Sequence, residues 1–457
     1  MLHKVSRRWF WNLLDPKNVY HFIGIGGVGM SALAFLLLEM GFKVSGSDIG
    51  ESVFIDRLIR KGVRVFRRHD PSNLKGVSCV VYSSAITEEN PELREALRRG
   101  LKVMHRADLL GLLMEPYKGI GITGTHGKTT TSAMAVKILS DAGLDPVGVV
   151  GGDYPYIGGN YRWGRGKIFV AEIDESDGSF LRLSKLHCLL ITNLEEEHME
   201  HYVDFNDLKG KIRRLADIAN VVVFNADDPV LRNMGLKGLS YGFNYGMIRG
   251  EVLDCSSLYI EGYGNLSLKV AGKHNLYNAL SIIALGRALG LDLSAVARSL
   301  EGFTGVRRRM EVIGKARGIT FMDDYAHHPT EIRAVLETLR LTRRERRIVV
   351  LFQPHRYSRT ARMYADIASS LELADWVGIT EIYSAAELPI NGVSGKLIYE
   401  VLLQKGKSPS FFFKTFAEAK EALKNELREG DLFLTMGAGD VYKLGETLFA
   451  EFKEGCS

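Results

Sequence analysis

One stretch of this chain, residues 118–131, constrains the fold more than any other. It reads KGIGITGTHGKTTT: a short apolar strand, a glycine-rich turn, and a lysine with three threonines that open a helix. Glycines let backbone N–H groups close around phosphate oxygens, and the helix N-terminus adds a partial positive charge. Lys128 can reach terminal phosphates, and the Thr129 hydroxyl can ligate Mg²⁺. The stretch therefore predicts a nucleoside triphosphate site on a strand–turn–helix unit.

The spacing of this turn differs from that of the general P-loop. The general pattern has a glycine five places before the Gly-Lys pair, and here that place is Ile122. The glycine falls at Gly124 instead, which gives GTHGKTT. A chance glycine turn before a helix is the alternative interpretation, but the strand, both glycines, the lysine and the threonine all align with a phosphate site.

Length and composition indicate a multidomain globular protein. At about 150 residues per domain, 457 residues predict about three domains, and a charged fraction of 25% is ordinary. The net charge of +5 suits a small anionic substrate and gives no reason to expect nucleic acid. No apolar run approaches the roughly 18 residues of a membrane helix, so no membrane association is expected. The basic, aromatic residues 1–18 lack the pattern of a signal peptide and are predicted to be an N-terminal extension.

The cysteines point to a reducing compartment. All four are scattered, and none shows the paired spacing of a metal site. Cys79 and Cys188 lie in apolar strand-like runs, where a cysteine packs as a small core residue. We therefore expect a cytoplasmic protein.

The first predicted domain, residues 19–113, begins with a second glycine turn. Gly24, Gly26 and Gly29 follow an apolar strand and precede a helix, as in the dinucleotide-binding fingerprint. The next strand ends at Asp48, where that fingerprint has its acidic residue. The pattern predicts that the diphosphate or sugar of some ligand lies at the end of the first strand.

The second predicted domain, residues 114–304, begins with the phosphate site. The apolar run 167–171 leads into Glu172, the first of several carboxylates, which are the oxygen ligands that a hard cation needs beside phosphates. His198 and His201 lie further on, without the helical spacing or cysteine partners of a zinc site. Residues 238–272 contain short stretches of alternating apolar and polar residues, typical of β-strands, and predict a small antiparallel insert.

The third predicted domain, residues 305–457, alternates strands and helices, which implies a mostly parallel sheet. His327 follows one of its strands, and Arg356 and Arg359 follow the next, so a ligand surface is expected at the strand ends. Arginine and histidine side chains there suit carboxylates or phosphates. In the first domain Ser84 has a similar place after a strand, although an ordinary polar loop would look the same.

Together these features predict an α/β protein of three domains, each with a mostly parallel sheet. The first and third are Rossmann-like, and the central one is P-loop ATPase-like with a small β insert. Phosphoryl transfer to a second substrate is the natural inference from a triphosphate site beside a diphosphate turn.

Eight stretches in order resemble the ATP-dependent Mur ligases of peptidoglycan synthesis, from about residue 19 to the end of the chain. They are HFIGIGGVGMS at 21–31, SSAI at 83–86, GTHGKTTT at 124–131, EIDESD at 172–177, TN at 192–193 with His198, HN at 274–275 with Asn278, DDYAHHPT at 323–330 and QPHRYSR at 353–359. Within the family the chain is most similar to the members that join L-alanine to UDP-N-acetylmuramate.

The resemblance implies an ATP-dependent amide-bond ligase that adds the first amino acid of the peptidoglycan precursor through an acyl phosphate. The implied substrates are ATP, UDP-N-acetylmuramate and L-alanine, with Mg²⁺ as the metal or Mn²⁺ in its place. No nucleic acid or membrane partner is expected, and the implied assembly is a monomer or a weak homodimer.

The resemblance also implies roles for single residues. The implied catalytic residues are Lys128, Glu172, His198 and Arg309, although the tripled arginine run leaves Arg308 as an alternative to Arg309. The implied metal ligands are Thr129, Glu172 and His198. The implied ATP-binding residues are Gly124, Thr125, His126, Gly127, Lys128, Thr129, Thr130, His274, Asn275, Asn278 and Asp324. The implied residues for the UDP-sugar and the amino acid are Gly26, Gly27, Gly29, Asp48, Ser84, His327, Arg356 and Arg359.

Three other functions remain open. A murein peptide ligase, which adds a preformed tripeptide to the same UDP-sugar, shares most of these motifs. An NAD-dependent oxidoreductase would explain the first glycine turn and Asp48 but would leave the GTHGKTT turn and Glu172 without a role. A non-catalytic sensor of ATP or a UDP-sugar is the third, and Lys128 and His198 argue against it.

Overall fold

A computed structural model of the protein describes residues 15, 17–343, 346–385, 387–406 and 409–454. Most of the predicted N-terminal extension, residues 1–18, and Cys456 lie outside the described residues. The chain forms two compact units. The first comprises the described parts of Met1–Leu253, Ser257–Lys269 and Asn275–Thr304, and the second comprises those of Asp254–Ser256, Val270–His274 and Gly305–Ser457.

The first unit begins with a parallel sheet of five strands in the order β3-β2-β1-β4-β5, the N-terminal sheet. Its strands are Val19–Ile23 (β1), Lys43–Ser47 (β2), Arg64–Phe66 (β3), Cys79–Tyr82 (β4) and Lys102–His105 (β5). Its helices are Val28–Glu39 (α1), Val53–Arg60 (α2), Pro91–Arg98 (α3) and Arg106–Met114 (α4), with a 3₁₀ turn at Pro71–Leu74. Local chemistry sets the helix starts: the Ser52 hydroxyl accepts from Phe54 N–H at α2, and Asn90 caps α3 ahead of Pro91.

The central sheet has ten strands in the order β15-β14-β13-β12-β11-β10-β6-β9-β7-β8. They are Lys118–Thr123 (β6), Val147–Tyr154 (β7), Gly159–Arg162 (β8), Ile168–Glu172 (β9), Leu186–Ile191 (β10), Ala219–Asn225 (β11), Leu239–Gly242 (β12), Ile248–Val252 (β13), Ser257–Ile260 (β14) and Gly264–Ser267 (β15). The helices are Lys128–Asp141 (α5), Phe205–Asp217 (α6), Pro229–Asn233 (α7), Lys273–Ala288 (α8) and Leu293–Glu301 (α9), with 3₁₀ turns at Pro155–Ile157, Ser179–Arg182 and Met199–His201.

At both edges of the central sheet, the strand pairing differs from what the sequence predicts. The predicted antiparallel insert, residues 238–272, is antiparallel only from β13 to β15, because β12 pairs parallel with both β11 and β13. The segment is thus a continuation of the central sheet. At the other edge, β7 and β8 form an antiparallel hairpin that the sequence did not reveal, since its glycines and polar residues weaken the strand pattern.

The second unit is built on a sheet of six strands in the order β16-β17-β21-β18-β19-β20, the C-terminal sheet. Its strands are Glu311–Ala316 (β16), Ile319–Asp324 (β17), Ile348–Phe352 (β18), Trp376–Thr380 (β19), Ser410–Phe413 (β20) and Leu432–Met436 (β21), and only β16 pairs antiparallel. Its helices are Pro329–Thr342 (α10), Tyr357–Leu371 (α11), Lys396–Gln404 (α12), Phe416–Glu426 (α13) and Tyr442–Glu454 (α14). Pro329 occupies the first turn of α10, where the lack of a backbone N–H is tolerated.

The predicted fold class is confirmed: the protein is α/β with three mostly parallel sheets. Cys79 and Cys188 are fully buried, as expected for core residues. Across the part of the chain that the structure describes, no helix has the length and apolar character needed to span a bilayer. Because parallel strands carry their following loops at one edge, each sheet gathers its polar strand ends on one side.

Candidate active site

The turn at residues 124–128, which we call the GTHGK turn, joins β6 to α5. Strand β6 lies between β9 and β10, so the turn emerges among the ends of three parallel strands. Gly124 has φ +128°, and a Cβ there would stand 2.2 Å from Thr192 Oγ1. Gly127 has φ +81°, and a Cβ there would stand 2.6 Å from Asn278 Oδ1. Ile122 is instead a buried strand residue, which explains why the first glycine of this turn falls at 124.

Lys128 folds back onto its own turn and onto the strand end beside it. Its ammonium donates to the carbonyls of Gly124 at 2.7 Å and Thr125 at 3.1 Å, and lies 2.8 Å from Glu175 Oε2. Burial alone would lower the pKa of Lys128, but the carboxylates of Glu175 and Asp174 raise it above its ordinary value. Burial raises the pKa of Glu175, against the opposite effect of Lys128. The ammonium is therefore a fixed positive charge at the turn.

The structure places Thr129 and Glu172 in contact. The Thr129 hydroxyl donates to Glu172 Oε1 at 3.1 Å, and the Gly151 N–H donates to Glu172 Oε2 at 2.7 Å. A Cβ on Gly151 would lie 2.2 Å from Glu172, so glycine is needed for this approach. A hydroxyl and a carboxylate beside a phosphate-type turn are donors that suit a hard divalent cation.

Asp174, which belongs to the predicted carboxylate run, interacts electrostatically with both Lys128 and His198. Burial would raise the pKa of Asp174, but Arg106, Lys128 and His198 lower it below the ordinary range. His198 has φ +60°, a left-handed conformation that a non-glycine residue seldom adopts, and its Nε2 lies 3.6 Å from Glu197 Oε2. Such strain is often found where side chains are held for function.

The residues that follow β10 hold the rest of the GTHGK turn through hydrogen bonds. The Asn193 side chain accepts from the His126 N–H at 2.8 Å, and the Thr125 hydroxyl accepts from the Glu195 N–H at 2.9 Å. The His126 ring also lies near Glu195, with Nε2 3.4 Å from the carboxylate. Thr130 is buried in the first turn of α5.

Helix α8 contributes the two predicted asparagines. Asn278 Oδ1 accepts from the Thr131 hydroxyl at 3.2 Å, and its Nδ2 lies 3.4 Å from Asn275 Oδ1. Both side chains are buried. Since Asn278 also lies against Gly127, this helix braces the GTHGK turn as well.

Asp48, the acidic residue of the dinucleotide-binding pattern, holds the first glycine turn. Asp48 Oδ2 accepts from the Gly26 N–H at 2.8 Å, and Oδ1 accepts from the Gly50 N–H at 2.8 Å. A Cβ on Gly26 would lie 2.6 Å from Ile55 Cδ1, and Gly27 caps α1. Asp48 thus shapes the turn, a role that the sequence alone did not assign to it.

Ser84, which follows β4 of the N-terminal sheet, contacts the carboxylate-rich loop that follows β9 of the central sheet. Its hydroxyl donates to Asp177 Oδ2 in a short contact and lies 3.0 Å from His105 Nε2. His105 Nδ1 accepts from the Ala107 N–H, which leaves the Nε2–H to donate to Ser84. Burial and the nearby Arg106 lower the pKa of His105, so the imidazole is neutral at physiological pH.

Arg106 makes a second link between the end of the N-terminal sheet and the carboxylates that follow β9. Its guanidinium lies 3.2 Å from Asp174 Oδ2 and 3.7 Å from Asp177 Oδ2, and a Cβ on Gly29 would stand 3.2 Å from its Nη1. Gly29, Arg106, Glu172 and Asp174 line one cavity. The first glycine turn and the Thr129–Glu172 pair therefore open into a common space.

In the second unit, the two candidate arginines have different surroundings. Arg308 donates to Asp323 Oδ2 at 2.9 Å and to the Gly437 carbonyl at 2.7 Å. Within the described residues, the Arg309 side chain donates no hydrogen bond; it lies 4.0 Å from Glu331 Oε1 and over the face of a tyrosine ring. Arg308 thus holds the unit together, and Arg309 is the one with a guanidinium available for a ligand.

Asp324 and His327 lie in the loop between β17 and α10. Asp324 accepts from the N–H groups of Met310 at 2.7 Å and Ala326 at 2.7 Å, and burial raises its pKa to about 6. His327 Nδ1 lies 3.0 Å from the Tyr325 carbonyl. Both oxygens of Asp324 therefore organise the unit's own backbone.

The remaining predicted residues also belong to the second unit. Arg356 has φ +69° and lies 3.9 Å from Glu387 Oε1, and Arg359 lies 3.2 Å from His355 Nδ1. Burial, and then Arg309, lower the pKa of His274 to about 4, so this ring is neutral at physiological pH.

Three residues of the first unit were missed as individual site residues: Arg106, Glu175 and Asn193. Each follows the C-terminal end of a parallel strand, and that position is the signal that could have identified them.

Models of the Mur ligase family match most of the chain. Residues 19–118 match "Mur ligase family, catalytic domain", residues 122–286 match "Mur ligase middle domain", and residues 308–439 match "Mur ligase, glutamate ligase domain".

Relatives and solved structures agree with these matches. The UDP-N-acetylmuramate–L-alanine ligase of Desulforamulus reducens is 43% identical over 95% of this chain and 98% of its own length. That of Aquifex aeolicus is 39% identical over 96% and 99%. The crystal structure of UDP-N-acetylmuramate-alanine ligase from Thermotoga maritima is 32% identical, with a TM-score of 0.85 over 95% of this chain and 99% of that one. A murein peptide ligase from Psychrobacter arcticus, at 21% identity and a TM-score of 0.74, shares the fold.

Proposed function

This chain belongs to the Mur ligase family, and we propose that it joins L-alanine to the carboxylate of UDP-N-acetylmuramate with ATP as the energy source. Relatives that bear this name align with nearly its whole length, at 39–43% identity for the two described above. The observation that carries the ATP-dependent chemistry is the GTHGK turn with Lys128, Thr129 and Glu172 gathered at one sheet edge, and the relatives carry the choice of L-alanine. The reaction is the first addition of an amino acid in the synthesis of the peptidoglycan precursor.

The chemistry requires two displacements. A carboxylate does not accept an amine because oxide is too poor a leaving group. Its oxygen therefore attacks the γ-phosphorus of ATP, the bond to the β-phosphate oxygen breaks, and ADP leaves. The neutral amine of alanine then attacks the acyl carbon, the C–N bond forms, phosphate departs, and the nitrogen loses a proton. Positioning and charge stabilisation account for most of the rate enhancement in such a site.

Lys128 has the features needed to bind the transferred phosphoryl group. Its fixed positive charge lies at the turn whose backbone surrounds the phosphates, and it can exchange Glu175 for phosphate oxygens. Thr129 and Glu172 would hold Mg²⁺, with His198 from the following loop, and Mn²⁺ has the same ligand preferences. When bound, the cation neutralises charge on the phosphates during transfer.

The other ligands have matching surfaces. The glycine turn at Gly26, Gly27 and Gly29, braced by Asp48, suits the UDP diphosphate. Ser84, which donates to Asp177, suits the same ligand. In the second unit, His327, Arg356 and Arg359 suit a carboxylate such as that of alanine. Arg309 suits the charge that develops on phosphate, and His274, Asn275, Asn278 and Asp324 suit the nucleoside.

The remaining proposals concern location and assembly. Scattered, buried or half-buried free cysteines support a reducing, cytoplasmic environment. We propose a monomer or weak homodimer that acts on small molecules, with neither nucleic acid nor membrane as partner.

A panel of acceptors tests the assignment. Purified protein with ATP, Mg²⁺ and UDP-N-acetylmuramate is given L-alanine, glycine, L-serine or the tripeptide L-alanyl-γ-D-glutamyl-meso-diaminopimelate, and ADP and phosphate are measured. We expect turnover with free L-alanine and none with the tripeptide. Turnover with the tripeptide alone would assign the protein to the murein peptide ligases. Reduction of NAD without hydrolysis of ATP would support the oxidoreductase.

A further inference from the structure

The backbone of residues 125–127, including the peptide that links His126 to Gly127, is held by the end of β10 through several hydrogen bonds. Asn193 Oδ1 accepts from the His126 N–H at 2.8 Å, and Asn193 Nδ2 donates to the His126 carbonyl at 3.1 Å. The Thr192 hydroxyl donates to the same carbonyl at 2.7 Å. The Thr125 N–H completes the contact by donating to the Asn193 carbonyl at 3.1 Å. One side-chain amide therefore fixes both polar groups of residue 126.

This arrangement determines where the next N–H group points. In a trans peptide the C=O and the following N–H point in opposite directions. Because the His126 carbonyl points at Thr192 and Asn193, the Gly127 N–H points away from β10. Within the described residues, no acceptor takes this N–H. It is a donor of the kind that surrounds phosphate oxygens at the start of a helix.

The turn needs such a restraint because of its glycine. Gly127 has φ +81° and no Cβ, so rotation of the 126–127 peptide meets little steric resistance at its second residue. A rotated peptide would direct the partial negative charge of a carbonyl toward the bound phosphates. A Cβ on Gly127 would stand 2.6 Å from Asn278 Oδ1, but within the described residues Asn278 makes no hydrogen bond to this peptide.

We propose that Asn193 is a positioning residue for the phosphates of ATP: its amide locks the 126–127 peptide so that the Gly127 N–H faces the nucleotide. The inference rests on the proposed function, since it requires that the GTHGK turn bind ATP. Asn193 does not itself contact the substrate. Its effect should therefore be confined to ligands whose phosphates lie on this turn.

Direct binding measures this effect without turnover. Isothermal titration of the full chain with ADP and Mg²⁺, and separately with UDP-N-acetylmuramate, compares Asn193→Ala with the wild type. The loss of two backbone hydrogen bonds predicts ADP binding weaker by about tenfold to thirtyfold, with UDP-N-acetylmuramate binding changed by less than about threefold. The exposed Asn265→Ala serves as a matched control and should bind both ligands as the wild type does.

A second variant supplies a pH profile that a merely structural role would not produce. Asn193→Asp keeps the acceptor for the His126 N–H, but its ionised form opposes the His126 carbonyl, and its protonated form can donate to that carbonyl. Its ADP-binding deficit relative to the wild type should shrink as the pH falls from about 8 to about 5.5, a range chosen to span protonation of a carboxyl with a raised pKa. The deficit of Asn193→Ala, which does not titrate, should stay constant.

The results separate this inference from the proposed function. If the wild type does not bind ADP, both are wrong. If the wild type binds ADP and both Asn193 variants bind it equally well, or lose both ligands in parallel, only the positioning role is wrong. Should Asn193→Ala fail to fold, the pH profile of the nearly isosteric Asn193→Asp alone decides, and a deficit independent of pH contradicts the proposal.

Discussion

The Lys128 ammonium lies 2.8 Å from Glu175 Oε2, and the two side chains are only 15% and 2% exposed. Glu175 is thus an anionic partner held inside the strand end, at the place where Lys128 must also meet phosphate. Both a carboxylate and a phosphate can pair with the same ammonium, so nucleotide binding is an exchange of partners. The pair also makes the folded state depend on Lys128.

Replacing Lys128 with alanine should therefore affect stability as well as turnover. Breaking a buried pair leaves Glu175 uncompensated, which predicts a free energy of unfolding lower by about 3 kcal/mol at pH 8. Burial already raises the pKa of Glu175, and a protonated carboxyl has no charge to compensate. The loss should therefore shrink as the pH falls. Urea unfolding of both proteins at a series of pH values from 8 downward measures this change in the loss of unfolding free energy.

The control for this prediction is the double variant Lys128→Ala with Glu175→Gln. It removes both charges and should recover most of the lost unfolding free energy at pH 8, while turnover stays abolished. A double variant no more stable than Lys128→Ala would show that the loss has another cause.

The Thr129–Glu172 contact predicts a selective effect on metal dependence. Glu172→Gln removes the anionic oxygen from the candidate metal site, so turnover should fall by at least about a hundredfold and half-saturation should need more Mg²⁺. Phosphate release measured against Mg²⁺ concentration tests this. Thr129→Ser keeps the hydroxyl and should retain most activity, whereas Thr129→Val should not. Equal Mg²⁺ dependence in Glu172→Gln and the wild type would contradict the assignment.

The two glycine turns could be predicted from sequence because they are local: an apolar strand, glycines at close spacing and a helix start dictate them within a dozen residues. The bracing of the GTHGK turn by Asn193 could not, since it depends on β10 pairing beside β6, about 70 residues away in the chain. The role of Asp48 was missed for the related reason that a fingerprint assigns it to a ligand. The β7–β8 hairpin was missed because glycines interrupt the alternation of apolar and polar residues along its strands.

Asp324 predicts a pH dependence of stability. Burial raises its pKa from 3.8 to about 6, so the folded state holds this proton more tightly than the unfolded state does. Its contribution to stability is therefore complete at low pH, declines as the pH rises from 3.8 to 6, and is absent above. The difference between its folded and unfolded pKa values corresponds to about 3 kcal/mol of unfolding free energy at low pH. Between pH 4 and pH 7, Asp324→Asn should lose about 2.4 kcal/mol less unfolding free energy than the wild type, because the unfolded carboxyl is already partly ionised at pH 4.

The two unfolding curves against pH provide the comparison, because every other titrating group is shared. The exposed Asp366→Asn should run parallel to the wild type throughout. Parallel curves for Asp324→Asn as well would mean that Asp324 does not hold a proton more tightly in the folded protein.

Arg308 and Arg309 are neighbours with opposite expected phenotypes. Arg308 bonds Asp323 and two carbonyls and lies between two tyrosine rings, at 4.9 and 4.3 Å from their centres. Arg308→Ala should therefore lower the free energy of unfolding by about 3 kcal/mol, since it leaves the buried Asp323 carboxylate unpaired. Arg309→Ala removes a 4.0 Å ion pair and one ring contact, and should cost less than about 1 kcal/mol.

Turnover should show the reverse order. If Arg309 stabilises charge on the transferred phosphate, Arg309→Ala should reduce kcat by about a hundredfold while the protein stays folded, because a preorganised charge is lost from the transition state. Arg309→Lys keeps the charge and should recover part of that rate. Urea unfolding and phosphate release at saturating substrates, measured on the same preparations, give both quantities. Full activity in Arg309→Ala, together with loss of activity in folded Arg308→Ala, would transfer the role to Arg308.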